Sequence, residues 1–291
     1  MESQISKARC GVLDKKMGLI LLALLLFMPL SVLGAANTRT SFEATYAGRA
    51  GSVATLSVLH IFCPSKQRSG SGFLHKSGRV ITAAHVVEGC KPSDVILIEA
   101  LGHTYNVAAI ALDREHDLAL LTPAPTIKIP TLPLSTQPQF AVGSQVTLWG
   151  YPGGYGGKAP LLTVGYLAGV DDALTPSGTA IRRYVVNAAF NSGNSGGPLL
   201  DAATGAVIGV VSSKLAPVPA HIEIALQTLA KQASGTIYTR TLDNGQKITV
   251  SQGQLIADVL QYLRGQTQLV IGYAVTLGDL QNFLKTQGIQ P

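Results

Sequence analysis

From Gly51 to Pro123 the apolar residues come in short runs that clusters of Gly, Pro, Ser and Lys cut apart. SVATLSVLHIF (52–62), SGFLHK (71–76), GRVITAA (78–84), DVILIEA (94–100), TYNVAAIALD (104–113) and DLALLTP (117–123) are rich in Val, Ile, Leu and Tyr and read as strands. A proline-rich connector, PAPTIKIPTLPLSTQPQ (123–139), interrupts the rhythm before it resumes in SQVTLWGYP (144–152), LLTVGYLAGV (161–170), RRYVVNAAF (182–190), GPLLD (197–201) and AVIGVVSSKL (206–215). The pattern returns once more at QLVIGYAV (268–275). Two sets of about six short strands predict an all-β protein of two six-stranded antiparallel β-barrels packed side by side. The first would occupy about residues 50–122, the linker 123–139, and the second about 140–291.

Residues 216–269 follow a different period. AHIEIALQTLAKQ has helical apolar spacing, and TIYTRTLDNGQKITVS alternates around Asn244-Gly245, a type I′ hairpin signal. Ser251 and Gln254 then form a capping box ahead of LIADVLQYLRG. The segment therefore predicts a helix-hairpin-helix insertion in the second barrel. It is either an inert surface decoration or a lid or docking element, and in the second case its apolar faces, Leu226 with Leu229 and Leu255 with Val259, are expected to pack on the barrel or on a partner. A short helix, LGDLQNFLKTQ, closes the chain.

The composition fits a compact, loop-rich β protein: 46% of the 291 residues are hydrophobic, 13% are charged, and 31 are glycine. The net charge of +6 falls to +4 without the first 36 residues, and no basic run accompanies it, so nucleic acid is not expected as a partner. Residues 1–36 have the layout of a secretory signal. Lys15 and Lys16 precede an apolar core, then come Pro29 and small residues with a cleavage position after Gly34 or Ala36. The alternative is an uncleaved anchor, because 17–36 carries no charge and is long enough to span a bilayer. Either way the protein is expected to be exported, periplasmic or secreted, and to touch membrane only if 17–36 is retained. Cys63 and Cys90 are then the cysteines of the mature chain, and an oxidising compartment favours a disulfide between them over two separate thiols.

The chemistry gathers at NAAFNSGNSGGPLL (187–200). A serine hydroxyl is a poor nucleophile unless a base takes its proton, and the base must be oriented by a carboxylate. VITAAHVVEGC supplies His85 where a strand runs into a helical turn, DREHDLALL supplies Asp117 with Asp113 and Glu115 as nearby rivals, and GNSGGP supplies Ser195. The glycines around Ser195 allow backbone amides to converge on an oxyanion, with Gly193 and Ser195 as donors.

These motifs resemble those of a trypsin-like (chymotrypsin-fold) serine peptidase, most similar to the bacterial HtrA/Deg branch. The likeness is carried by GSGFLHKSGRVITAAHVV (70–87), DREHDLALL (113–121), LWGYPGGYGGKAPLLTVGYLAGV (148–170), NSGNSGGPLLDAATGAVIGVVSS (191–213) and IGYAV (271–275). It implies a serine endopeptidase acting on peptide or protein substrates through an acyl-enzyme. His85 and Asp117 would stand on the first barrel and Ser195 on the second. It further implies a primary pocket walled by Ala189 and Phe190, by Ser212, Ser213 and Lys214, and by Gly272. No carboxylate stands there to attract Lys or Arg, so small or medium apolar side chains are expected. HtrA proteins usually carry a PDZ module after the protease, and none is expected here before Pro291. Asn194 stands where clip-activated relatives have Asp, which argues against activation of that kind.

Neither a cofactor nor a metal is expected. PGGYGGKA (152–159) imitates a phosphate loop but has Pro152 in place of the first glycine and Ala159 in place of the magnesium-binding hydroxyl. Two rival readings remain, a latent protease-fold binding or scaffold protein and a processing peptidase tethered by 17–36. The oligomeric state is not legible.

Overall fold

The computed structural model describes residues 48–291 apart from 176, 215–219, 232–234, 242–244 and 267–269. The signal or anchor segment, Cys10 and Asn244 of the hairpin turn lie outside the described residues.

The described chain opens on helix α1 (Gly48–Ser57), followed by β1 (Val58–Cys63). The run 52–62, read as one strand from its apolar residues, is thus a helix up to Ser57. Ser57 turns its hydroxyl back onto the carbonyl of Val53, four residues earlier, at 2.7 Å. Ala54, Thr55 and Ser57 are fully buried, so packing on this face overrides a weak strand propensity.

The first barrel comprises β1, β2 (Arg68–Leu74), β3 (Val80–Thr82), β4 (Ile96–Ile98), β5 (Thr104–Asp113) and β6 (Leu118–Ala124), with helix α2 (Ala84–Val87) after β3. It closes in the order β1-β2-β3-β6-β5-β4, all pairs antiparallel. Inside lie Leu59, Ile61, Leu74, Val80, Leu97 and Leu121, each no more than 1% exposed. Closure leaves no free sheet edge, and it gives these side chains a single interior to share.

The second barrel comprises β7 (Gln145–Gly150), β8 (Leu161–Leu174), β9 (Ala180–Asn187), β10 (Pro198–Asp201), β11 (Val207–Lys214) and β14 (Gly272–Thr276). It closes as β10-β11-β14-β9-β8-β7 around Leu148, Leu167, Val186, Leu199, Ile208 and Val211. Between β11 and β14 come α3 (Ala220–Lys231), the β12–β13 hairpin (Ile237–Thr241 with Lys247–Ser251) and α4 (Gln252–Gln266). The capping box forms in both directions: Ser251 N–H donates to Gln254 Oε1 at 2.9 Å and Gln254 N–H donates to Ser251 Oγ at 3.2 Å. Leu226 is buried, but Leu255 and Val259 are 39% and 48% exposed, so this face of the second helix does not pack on the barrel. Helix α5 (Leu277–Thr286) closes the chain, capped by Thr276.

The connector is stitched to both barrels. Leu132 N–H donates to Leu74 O of β2, while Val207 of β11 exchanges backbone bonds with Pro133 and Ser135. A disulfide joins Cys63 at the end of β1 to Cys90 just beyond α2, closing a 27-residue separation. In the chain-entropy model a loop of that length contributes about 3.5 kcal/mol by restricting the unfolded chain.

Candidate active site

His85 stands on α2, directly after β3, and its segment is held at both ends. The disulfide fastens the far end. Arg68 Nη1 donates to the carbonyls of His85 and Glu88 at 2.7 and 2.8 Å, satisfying carbonyls that a helix terminus leaves without partners. Nothing in the sequence around Arg68 announces this role.

Asp117 sits at the head of β6 with φ +54°, in the left-handed region that Asp tolerates better than most residues. Its backbone carbonyl accepts from Ala84 N–H at 3.1 Å, and its Oδ1 accepts from His85 N–H at 3.0 Å. The same carboxylate faces His85 Nδ1 at 2.9–3.0 Å, and its Oδ2 accepts from Ser212 Oγ at 2.6 Å. Burial pushes the Asp117 carboxyl up, but the hydrogen bonds and charge of His85, together with the Ser212 hydroxyl, outweigh it and hold the group below its ordinary value. The rival Asp113 points away from His85: its Oδ1 accepts from His116 N–H and its Oδ2 faces His116 Nδ1 at 2.8 Å.

Ser195 lies in the tight turn before β10. Its Oγ donates to the carbonyl of Ser212 at 2.8 Å, not to His85. Ser212 reaches both partners because β11 slips register against β14 between Val211 and Ser213. That irregularity frees Ser212 from the ladder, its carbonyl toward Ser195 and its hydroxyl toward Asp117.

The turn is pinned to the first barrel by Ser71, which is fully buried on β2. Ser71 N–H donates to Ser195 O at 2.8 Å, and Ser71 Oγ donates to Gly193 O at 2.7 Å and accepts from Tyr151 N–H at 2.9 Å. Ser71 went unassigned in the sequence; its one signal is a small hydroxyl between Gly70 and Gly72 in an apolar strand. Gly153, in the loop that imitates a phosphate site, donates its N–H to Ser192 O at 2.6 Å. The 192–193 peptide is thereby held by its carbonyl, and its N–H faces the opposite way. Gly193 has φ +94°, and a Cβ there would lie 2.3 Å from Tyr151 O, so only glycine fits.

Of the residues expected to wall a pocket, Ala189 is half-buried and Phe190 is 2% exposed within the second barrel's core. The Phe190 ring lies against Gly272: a Cβ at 272 would stand 2.1 Å from it. Ser213 and Lys214 pair through their backbones with Tyr273 and Gly272. Among the described residues no cluster of His, Cys, Asp or Glu is placed to hold a metal ion, and no helix is long and apolar enough to cross a membrane.

Two closed antiparallel barrels with His85 and Asp117 on one and Ser195 on the other define a chymotrypsin-like fold. Residues 70–210 match the model of the trypsin-like peptidase domain. It is similar to Protease Do-like 1, chloroplastic, of Arabidopsis thaliana, with 33% identity over 56% of this chain and 36% of the relative. It is also similar to the serine protease Rv3671c of Mycobacterium tuberculosis, with 32% identity over 50% of this chain and 36% of the relative. The chain thus spans about a third of the length of these relatives. The crystal structure of the active form of the Rv3671c protease superposes with a TM-score of 0.56 at 21% identity, covering 85% of this chain and 88% of that one.

Proposed function

We propose that the protein is an exported serine endopeptidase that hydrolyses peptide bonds through an acyl-enzyme. Ser195 Oγ is the nucleophile, and His85 Nε2 takes its proton as the carbon–oxygen bond to the substrate carbonyl forms. Asp117 keeps the His85 Nδ1–H pointed away from the serine and stabilises the imidazolium. The amides of Gly193 and Ser195 receive the developing oxyanion. His85 then returns the proton to the leaving amine, and water repeats the sequence to release the acyl group. The observation that carries this reading is the Asp117 carboxylate, held between His85 Nδ1 and Ser212 Oγ on opposite barrels. The match of residues 70–210 to the trypsin-like peptidase domain and the similarity to serine proteases support it.

For the substrate side, Ala189, Phe190, Ser212, Ser213, Lys214 and Gly272 bound the space for the side chain preceding the cleaved bond. Phe190 fills the region against Gly272, which favours small or medium apolar side chains. Export rests on residues 1–36, whether cleaved or retained as an anchor.

One observation favours a second reading, a protein held latent: the Ser195 hydroxyl donates to Ser212 O. In the peptidase this is a resting rotamer that turns to His85 when substrate arrives, since staggered side-chain states interconvert readily. A fluorophosphonate probe separates the two. Covalent labelling of the wild type and none of Ser195→Ala supports the peptidase, whereas an unlabelled wild type supports the latent protein.

A further inference from the structure

A cavity of about 140 Å³ beside Asp117 is lined by residues of both barrels. Three consecutive side chains from the first barrel reach across to the second. Glu115 Oε2 accepts from Ser177 Oγ in the turn between β8 and β9 at 2.6 Å. His116 has Nδ1 taken by Asp113, which leaves its Nε2 facing Asp279 Oδ1 at 4.0 Å. Asp279 is itself fixed by Thr276, whose hydroxyl donates to Asp279 Oδ2 at 2.6 Å at the start of α5. Asp117 completes the series through Ser212. The run 115–117 therefore touches the β8–β9 turn, the first turn of α5 and strand β11 in succession.

This arrangement matters because the reacting groups are divided between the barrels. A nucleophile and base on separate bodies lose rate steeply when the bodies shift by a fraction of an ångström. Ser71 fixes one side of the junction, at the Ser195 turn. On the other side Asp117 sits in the left-handed backbone region, a conformation less favourable for an L residue than the right-handed one. We infer that Glu115 and His116 are positioning residues, which with Ser177 and Asp279 tie the Asp117 loop to the second barrel and keep Asp117 aligned between His85 and Ser212. The inference rests on the peptidase reading. It assigns a catalytic consequence to residues that touch neither substrate nor reacting atoms. The Ser177 hydroxyl, with Thr175 and Thr179, holds the Glu115 carboxyl below its ordinary value.

The test is steady-state hydrolysis of a small peptide by the full chain, with active sites counted by fluorophosphonate and melting followed in parallel. Glu115→Ala and Ser177→Ala should each lower kcat about three- to tenfold with KM within twofold, and the double variant should be no worse than either, since both cut one contact. Glu115→Gln keeps an oxygen for Ser177 and should restore most of the loss. Asp279→Asn should lower kcat in wild type but not in His116→Gln. Ser177 is exposed, so its truncation keeps the fold even if the Glu115 or Asp279 variants do not. Wild-type kcat per labelled site in Ser177→Ala and Asp279→Asn overturns the tie, as does a Glu115→Gln variant as impaired as Glu115→Ala. A wild type that neither reacts with the probe nor cleaves peptide overturns the peptidase reading itself, and the tie with it.

Discussion

The two barrels and the insertion between β11 and β14 are both rich in apolar side chains and put them to opposite ends. In the barrels Leu59, Ile61, Leu121, Leu148 and Leu199 are at most 1% exposed. In the insertion Ile224, Ile237, Tyr262 and Leu263 are 54–67% exposed. The cause is closure. Six strands rolled into a barrel share one interior and have no free edge, whereas a two-stranded hairpin with two helices has only its own partial faces to cover. Groups that must hold position to a few tenths of an ångström belong on the closed parts, and His85, Asp117, Ser195, Ser71 and Ser212 all do. The insertion begins and ends beside that site, so whatever it contributes acts from outside it.

The largest expected effect falls at the barrel junction. Ser195→Ala and His85→Ala should each reduce peptide hydrolysis by about 10⁴-fold, and together little further, because the nucleophile and its base act as a unit. Comparable point changes on the insertion, such as Leu255→Ser, should leave hydrolysis of a small peptide unaltered. Near-normal turnover in Ser195→Ala, measured after exhaustive purification, would remove the site from the barrels altogether.

A pair of glycines carries the same contrast into stability. Gly196 has φ +84°, and an added Cβ would stand 2.1 Å from Thr82 Oγ1 and 2.2 Å from Ser71 O. Gly196→Ala should therefore cost about 2–4 kcal/mol, combining overpacking with backbone strain. Gly245 in the hairpin has a similar φ of +81° but nothing within 4 Å of the new atom. Gly245→Ala keeps only the strain, about 1 kcal/mol, and should leave the barrels' melting unchanged. Urea titration of both variants decides it, and equal losses would show that the insertion and barrels unfold as one tightly coupled body.

The same division explains what was legible in the sequence. Strand period, turn residues and the three motifs carry the barrels and place His85, Asp117 and Ser195, because alternation and glycine spacing are local. The capping box of Ser251 and Gln254 was legible for that reason too. What escaped was long-range. Ser71 bonds to residues 80 and 122 positions away, and Arg68 caps a helix whose end lies 20 residues on. The parking of Ser195 on Ser212 depends on a register slip that no local pattern encodes. Helix α1 escaped because its short apolar run suits strand and helix alike until packing decides.

His75 gives a smaller effect confined to the barrels. It is fully buried, with no hydrogen-bond partner for Nε2 among the described residues, and burial followed by the Lys76 charge lowers its pKa to about 4. The folded state thus refuses a proton that the unfolded chain takes up near its ordinary value of about 6.5. Stability should be unaffected by this group above that pH. It should fall by up to about 1.4 kcal/mol per pH unit as the pH drops toward 4, the slope set by one proton bound only on unfolding. His75→Gln should flatten this limb in thermal melts between pH 7 and 4; an unchanged limb would assign the acid sensitivity to other groups.

The smallest effect is expected from the largest change. Replacing 216–269 by a short Gly/Ser turn removes α3, the hairpin and α4 but none of the groups that touch Asp117, His85 or Ser195. The helices pack against each other and α4 against β13, so most of what is lost is the insertion's own packing. Cleavage of a short peptide should change by no more than about twofold, because the transition-state contacts are intact. Cleavage of a folded protein should change more, since the exposed side chains of Leu255, Ile256, Val259 and Leu260 offer apolar surface that a large substrate can reach and a short peptide cannot span. The decisive quantity is the ratio of the two rates in the same preparation. A ratio unaltered by the deletion would make the insertion a surface ornament, which long loops can be at little thermodynamic cost. A collapse of peptide cleavage as well would show that β11 and β14 depend on the insertion for their own register, and the boundary drawn between closed frame and exposed appendage would have to move inward to Ser212.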